Sequence, residues 1–283
     1  MRNLGIHCNR IQHFDDRIIE NGLTWGEFFS LPREHFEILR TKVKDNGTTV
    51  SIHLPLLETP WYPHAVTWSL LNDLSPERRE LTFKMVEETL QLASDLNPRY
   101  MVVHFPTPGA EHSGEVSHVM ALDIGRRSAE RLARLSEAYG VPIMIEGFGP
   151  SPLLNPEFLM EVVTTYPSLR YCLDIAHTFI SSQRDGFDYF EFVRAMAPHI
   201  GTVHLWSTRG IQDYLAYRHI PLHPTLKPED GWVDVEGTLR HVRQVNPDCP
   251  AIIEHGDRFP PGLGPTNYRE GVEWIKGIVK TSP

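Results

Sequence analysis

With 283 residues, 41% hydrophobic and 22% charged, the chain has an ordinary globular composition and enough length for one large barrel or two modest domains. Its net charge of −9 argues against broad adhesion to nucleic acid or anionic membrane, whose phosphates attract basic surfaces. No apolar run reaches membrane-spanning length, and MRNLGIHCNR lacks a signal-peptide core. Cys8, Cys172 and Cys249 share no metal-like spacing and read as reduced core residues of a cytoplasmic protein.

In chain order, short apolar runs alternate with longer amphipathic stretches. The first run is NLGIH (3–7). The interval from His7 to His53, with GLTWGEFFSLP inside it, is the least legible and is where an eighth strand would hide. TTVSIH (48–53) follows, then the helix-like SPERRELTFKMVEETLQLASDL, with Ser75 as cap and Pro76 in the first turn. RYMVVH (99–104) leads to DIGRRSAERLARLSEAYG, which stops at Gly140. VPIMIE (141–146), LRYCLD (169–174), IGTVH (200–204) and CPAIIE (249–254) complete the runs. DYFEFVRAMAPH, DVEGTLRHVRQV and NYREGVEWIKGIVK supply three more helices. Strands alternating with helices imply βαβ units and a parallel sheet. No linker interrupts them, so one domain over 1–283 is expected. Its size suits a (β/α)8 TIM barrel of about 250 residues. A doubly wound open sheet is second, because no glycine-rich phosphate fingerprint follows an early strand.

Every visible strand ends in a potential metal ligand: His7, His53, His104, Glu146, Asp174, His204 and Glu254. In a parallel barrel such ends converge on the face that carries active sites, and buried carboxylates are costly unless paired or metal-bound. His177 stands one helical turn beyond Asp174. Imidazole and carboxylate without thiolate suit Zn²⁺, Mn²⁺, Fe²⁺ or Co²⁺ better than Ca²⁺. The donors outnumber the needs of one tetrahedral ion. Zinc or manganese is therefore expected, one to three ions with two favoured, bridged by a carboxylate.

The ordered set SIHLP, VVHFP, IEGFG, CLDIAH, VHLWS and IIEHG resembles the xylose isomerase-like TIM-barrel superfamily across essentially the whole chain. That superfamily holds the endonuclease IV-type apurinic-site nucleases and sugar-phosphate isomerases and epimerases. The nuclease branch implies that His53, His104 and Glu146 hold one metal. Glu146 then bridges to a second, completed by Asp174, His204 and Glu254. A third would take His177 and an Asp-x-His pair. Here Tyr217 stands in place of that Asp and His219 in place of the His, with His223 as a rival. The isomerase and epimerase branch implies one metal on Glu146, Asp174, His204 and Glu254. There Glu146 and Glu254 also move protons at a sugar carbon, and His177 and Arg209 contact substrate.

Other residues weigh less. His7 is either a substrate contact or a satisfied histidine at the barrel mouth. Trp206 is taken as a substrate contact, although it, Trp61 and Trp232 equally suit packing in post-strand loops. His112 and His118 read as solvated, and His64, His199, His241 and His255 as surface or supporting residues.

His53 and His104 exceed what an isomerase needs, so they favour phosphoester hydrolysis by a metal-activated water. The expected substrate is a small nucleotide-like or sugar-phosphate molecule, with a cobamide-type nucleotide loop as one option. The alternative is a sugar or sugar-phosphate isomerase or epimerase using one metal and the Glu146/Glu254 pair; a non-catalytic binding barrel ranks last. Nucleic acid is not expected as a partner, given the acidic chain and the missing Asp of the third site. The sequence leaves the oligomeric state open.

Overall fold

The apolar runs fold as strands covered on both faces, as a parallel sheet with β/α crossovers demands. The computed structural model describes residues 3–281 apart from 108–116, 148, 152 and 266. Its strands are β1 (Leu4–Cys8), β2 (Trp25–Phe28), β3 (Thr49–His53), β4 (Met101–His104), β5 (Ile143–Glu146), β6 (Leu169–Asp174), β7 (Ile200–Leu205) and β8 (Ala251–Ile253). They close into a parallel barrel in sequence order, with β8 returning to β1 so that Leu4 lies opposite Ala251. The expected (β/α)8 barrel is the fold, and the concealed strand is β2, four residues from the middle of GLTWGEFFSLP.

The helices are α1 (Phe36–Asn46), α2 (Pro76–Ala93), α3 (His118–Tyr139), α4 (Pro156–Thr165), α5 (Ile175–Asp185), α6 (Tyr189–Met196), α7 (Ile211–Tyr217), α8 (Val235–Val245) and α9 (Tyr268–Thr281). Their starts are written as caps. Ser75 accepts from the Arg78 N–H, Asp188 from Glu191 and Asp234 from Gly237. Gly140 ends α3 in the left-handed region at φ 66°. α3 starts at His118, five residues before the Asp123 that the amphipathic pattern suggested, because Ser117 caps Met120. His118 is exposed, and His112 lies outside the described residues.

By contact density the chain forms two compact units, divided within β1, β2 and β6. One comprises Met1–His7, Asp16–Trp25 and Leu173–Pro283, and the other Cys8–Asp15 and Gly26–Cys172. Within the second, His104 lies directly opposite Glu146 across β4 and β5. Within the first, His204 lies opposite Ile252, two residues before Glu254 and so of the same side-chain parity. Among the described residues no helix is long and apolar enough to cross a membrane.

Candidate metal centre and substrate site

In the unit with β3, β4 and β5, three strand-end side chains meet. His53, His104 and Glu146 are 3%, 7% and 1% exposed. Their ligand atoms lie within 4.8 Å of one another. Both imidazoles address the same oxygen, Glu146 Oε2, from Nε2 at 3.5 Å for His53 and 3.7 Å for His104. The two rings meet edge-on at 4.7 Å, and Phe29 packs on the edge of His53 at 5.3 Å. His104 Nδ1 is 2.7 Å from the Thr67 carbonyl. A carbonyl only accepts, so Nδ1 carries the hydrogen and a neutral His104 turns its Nε2 lone pair toward the Glu146 carboxylate. His53 Nδ1 makes a looser contact of the same sense with the Leu54 carbonyl at 3.4 Å. Lone pair against carboxylate is repulsive until a proton or a cation lies between them, so the donor set fits either. Cys172 Sγ also donates to Glu146 Oε2, at 3.9 Å.

In the other unit, β6 ends where α5 begins, so one carboxylate serves both. Asp174 is 1% exposed; Oδ1 accepts the His177 N–H at 2.6 Å, and Oδ2 accepts the Trp206 indole N–H at 2.7 Å. These bonds offset the cost of burying the charge. His204, fully buried, brings Nδ1 to 2.8 Å from Glu254 Oε2. Burial pushes the Glu254 carboxyl up, but His204, and behind it His7 and His219, pull it well below the usual carboxylate range. Glu254 is therefore ionised, with three imidazoles around it. Its own N–H bonds the Leu205 carbonyl at 3.0 Å, which fixes it one residue past β8.

Beside Asp174 lies an aromatic group. His219 stacks on Trp206 at 4.4 Å and 22°, and His177 stands edge-on to Trp206, Tyr214 and His219 at 5.1, 5.2 and 5.7 Å. His177, Tyr214 and His219 are half-buried, and Trp206 is wholly buried.

Within one unit the structure thus gathers His53, His104 and Glu146, and within the other Asp174, His204, Glu254, His7, His177 and His219. Three expectations change. Trp206 does not present a face for stacking on substrate: His219 covers its ring and Asp174 takes its N–H. His223 is held elsewhere, Nδ1 by Thr225 Oγ1 at 2.7 Å and Nε2 by Glu270 Oε2 at 3.1 Å, so His219 is the loop histidine beside the site. Arg209 grips Asp213 through Nε and Nη2, both at 2.9 Å, and lies over Trp232 at 4.9 Å. Its hydrogen bond is the main cause of the lowered Asp213 carboxyl. Tyr217, at the end of α7, is exposed. Sequence reasoning missed Tyr214 and Arg17. Arg17 binds Asp257 at 2.6 Å and the His7 and His255 carbonyls at 3.1 and 3.4 Å, joining the segments after β1 and β8. Both sit in segments without periodicity or motif, where residue type was the only signal.

A model of the xylose isomerase-like TIM-barrel family matches residues 16–278. No curated protein matches the chain significantly. Among solved structures it is similar to a 3-keto-D-glucoside 4-epimerase from E. coli, at 14% identity and TM-score 0.69 over 98% of this chain and 100% of that one. It is also similar to an L-ribulose 3-epimerase, at 15% identity and TM-score 0.70 over 100% and 96%. A D-psicose 3-epimerase from Clostridium cellulolyticum H10 gives 11% identity and TM-score 0.68 over 98% and 99%. These sugar epimerases overturn the expected phosphoester hydrolase, with its nucleotide-like or cobamide-type substrate. That expectation counted His53 and His104 as a second metal site. In the structure both histidines converge on one oxygen of Glu146, which equally equips a carboxylate that moves protons. The chain belongs to the xylose isomerase-like TIM-barrel family.

Proposed function

We propose that the protein is a divalent-metal-dependent sugar isomerase or epimerase. In this reading Glu146, Asp174, His204 and Glu254, at the ends of four successive barrel strands, hold one ion. The observation that carries it is that all four are buried donors at strand ends of a closed parallel barrel, the rim where such folds do chemistry. Three carboxylates and one imidazole form a hard, oxygen-rich set that favours Mn²⁺ over Zn²⁺. A bound ion supplies a Lewis acid that polarises the carbonyl and adjacent hydroxyl of a sugar.

The protein's own groups then remove one proton and deliver another, Glu254 releasing what it takes to solvent and Glu146 regaining its proton from there. Glu254, held ionised by its imidazoles, takes the proton from the carbon beside the carbonyl. Glu146 returns a proton, to the opposite face for an epimerase. One C–H bond breaks, one forms, and nothing is oxidised or reduced overall. His53 and His104, both directed at Glu146 Oε2, relay the proton that Glu146 delivers. His7, His177 and His219 line the sugar's hydroxyls. The sugar-epimerase neighbours support the substrate class.

The test is incubation of Mn²⁺-loaded protein in D₂O with a panel of free ketoses, aldoses, keto-glycosides and their phosphates, followed by NMR. Deuterium should enter at one carbon and a second isomer accumulate, both stopping on chelation. Absence of exchange across the panel by metal-replete, folded protein would overturn the reading.

A further inference from the structure

Side chains two residues apart on a strand point the same way, so Trp206, the first residue beyond β7, shares the side of His204. A buried tryptophan needs a partner for its N–H. Here the partner is Asp174 Oδ2 at 2.7 Å, while the His177 backbone N–H takes Oδ1 at 2.6 Å. The backbone bond alone would leave the carboxylate free to turn about its Cβ–Cγ bond. The indole on the second oxygen, with the backbone N–H on the first, fixes the plane of the carboxylate. The indole cannot swing either: it is fully buried, His219 stacks on its face at 4.4 Å, and Tyr214 flanks it at 5.7 Å.

We infer that Trp206 is a positioning residue, which fixes the Asp174 carboxylate for divalent-metal binding through its indole N–H. The inference rests on the metal-dependent reading above. Partners that orient a metal-binding side chain are worth about 10–100-fold in metal affinity. A ring held between His219 and Asp174 also joins the loop that carries His219 to the carboxylate at the end of β6.

The experiment is calorimetric titration of metal-stripped protein with Mn²⁺, using wild type, Trp206→Phe, Asp174→Asn and the double variant. Trp206→Phe keeps a ring and loses the N–H, and it should weaken Mn²⁺ binding about 10–100-fold. In the Asp174→Asn background the same change should alter affinity by less than about twofold, because its route of action is already gone. Should Trp206→Phe fail to fold, Trp206→benzothienylalanine, with sulfur in place of the N–H, preserves the shape and should show the same loss. Wild-type affinity in either variant would overturn the assignment alone, as would an equal loss in both Asp174 backgrounds, which would mean packing rather than positioning. If wild-type protein bound no Mn²⁺, the metal-dependent reading would fall, and this inference with it.

Discussion

Asp174 and Glu146 are equally buried, each 1% exposed, and are held in opposite ways. Asp174 is gripped by two N–H donors at 2.6 and 2.7 Å. Glu146 faces two imidazoles at 3.5 and 3.7 Å and a thiol at 3.9 Å. Short bonds from fixed N–H groups suit a ligand that never moves. Longer approaches from groups that gain and lose protons suit a carboxylate that trades them. Burial alone therefore does not separate the two proposed roles; the difference between them lies in the partners.

The comparison breaks most visibly under Glu146→Gln, which keeps shape and removes the exchangeable proton. Deuterium exchange into the sugar should fall by about three orders of magnitude, while Mn²⁺ affinity falls less than in Asp174→Asn. The reverse order, measured by NMR exchange and calorimetry on the same variants, would exchange the two roles.

A second contrast sits between neighbours, Glu254 and His255. Burial, reinforced by Arg17 and partly offset by the Gly256 carbonyl, pushes the His255 imidazole down to about 4 from 6.5. Above pH 6.5 the ring is neutral both folded and unfolded, and it contributes nothing. As pH falls from 6.5 to 4 the unfolded chain takes up a proton that the fold refuses, and stability drops by about 3 kcal/mol. Glu254, with its carboxyl lowered, keeps its contribution until pH falls below the ordinary 4.5. Urea midpoints between pH 7 and 5 should decline in wild type and flatten in His255→Gln. An unchanged slope in the variant would remove His255 as the cause.

His104→Ala sharpens the first comparison. Its Nδ1 is fixed by a carbonyl at 2.7 Å, against 3.4 Å for His53. Losing it should slow exchange about 10–100-fold with Mn²⁺ affinity little altered, and His53→Ala should slow it less. A metal loss larger than the rate loss would return His104 to the ligands. The smallest effect belongs to Arg209, a half-exposed partner of Asp213. Arg209→Gln should change unfolding free energy by less than about 1 kcal/mol and leave exchange near wild type. A large rise in KM would restore it as a substrate contact.

Much of this was legible in the sequence because strand ends carry both signals at once: an apolar run and the polar residue that stops it. That is why β3 to β7 end where TTVSIH, RYMVVH, VPIMIE, LRYCLD and IGTVH predict, to within a residue. β2 was concealed because it has only four residues and ends on Phe28, with no ligand to mark it. The choice between His219 and His223 was invisible locally, since it depends on Glu270, which the fold brings to His223 from α9. Trp206 was misread for the same reason: its partner Asp174 is 32 residues away in sequence. The activity was misjudged because His53 and His104 suit a metal ligand and a proton carrier alike, and their shared target, Glu146 Oε2, fits either; the sugar-epimerase neighbours overturn the hydrolase.

One contact far from the chemistry has mechanical weight. A Cβ on Gly271, near the start of α9, would lie 1.9 Å from the Leu222 carbonyl oxygen. The obstacle is main chain, which has no rotamer to step aside into. The adjoining Glu270 holds His223 at 3.1 Å on the same stretch, four residues beyond His219. Helix and loop are therefore fitted tooth against notch, and any side chain at position 271 would force α9 and the loop that carries His219 apart.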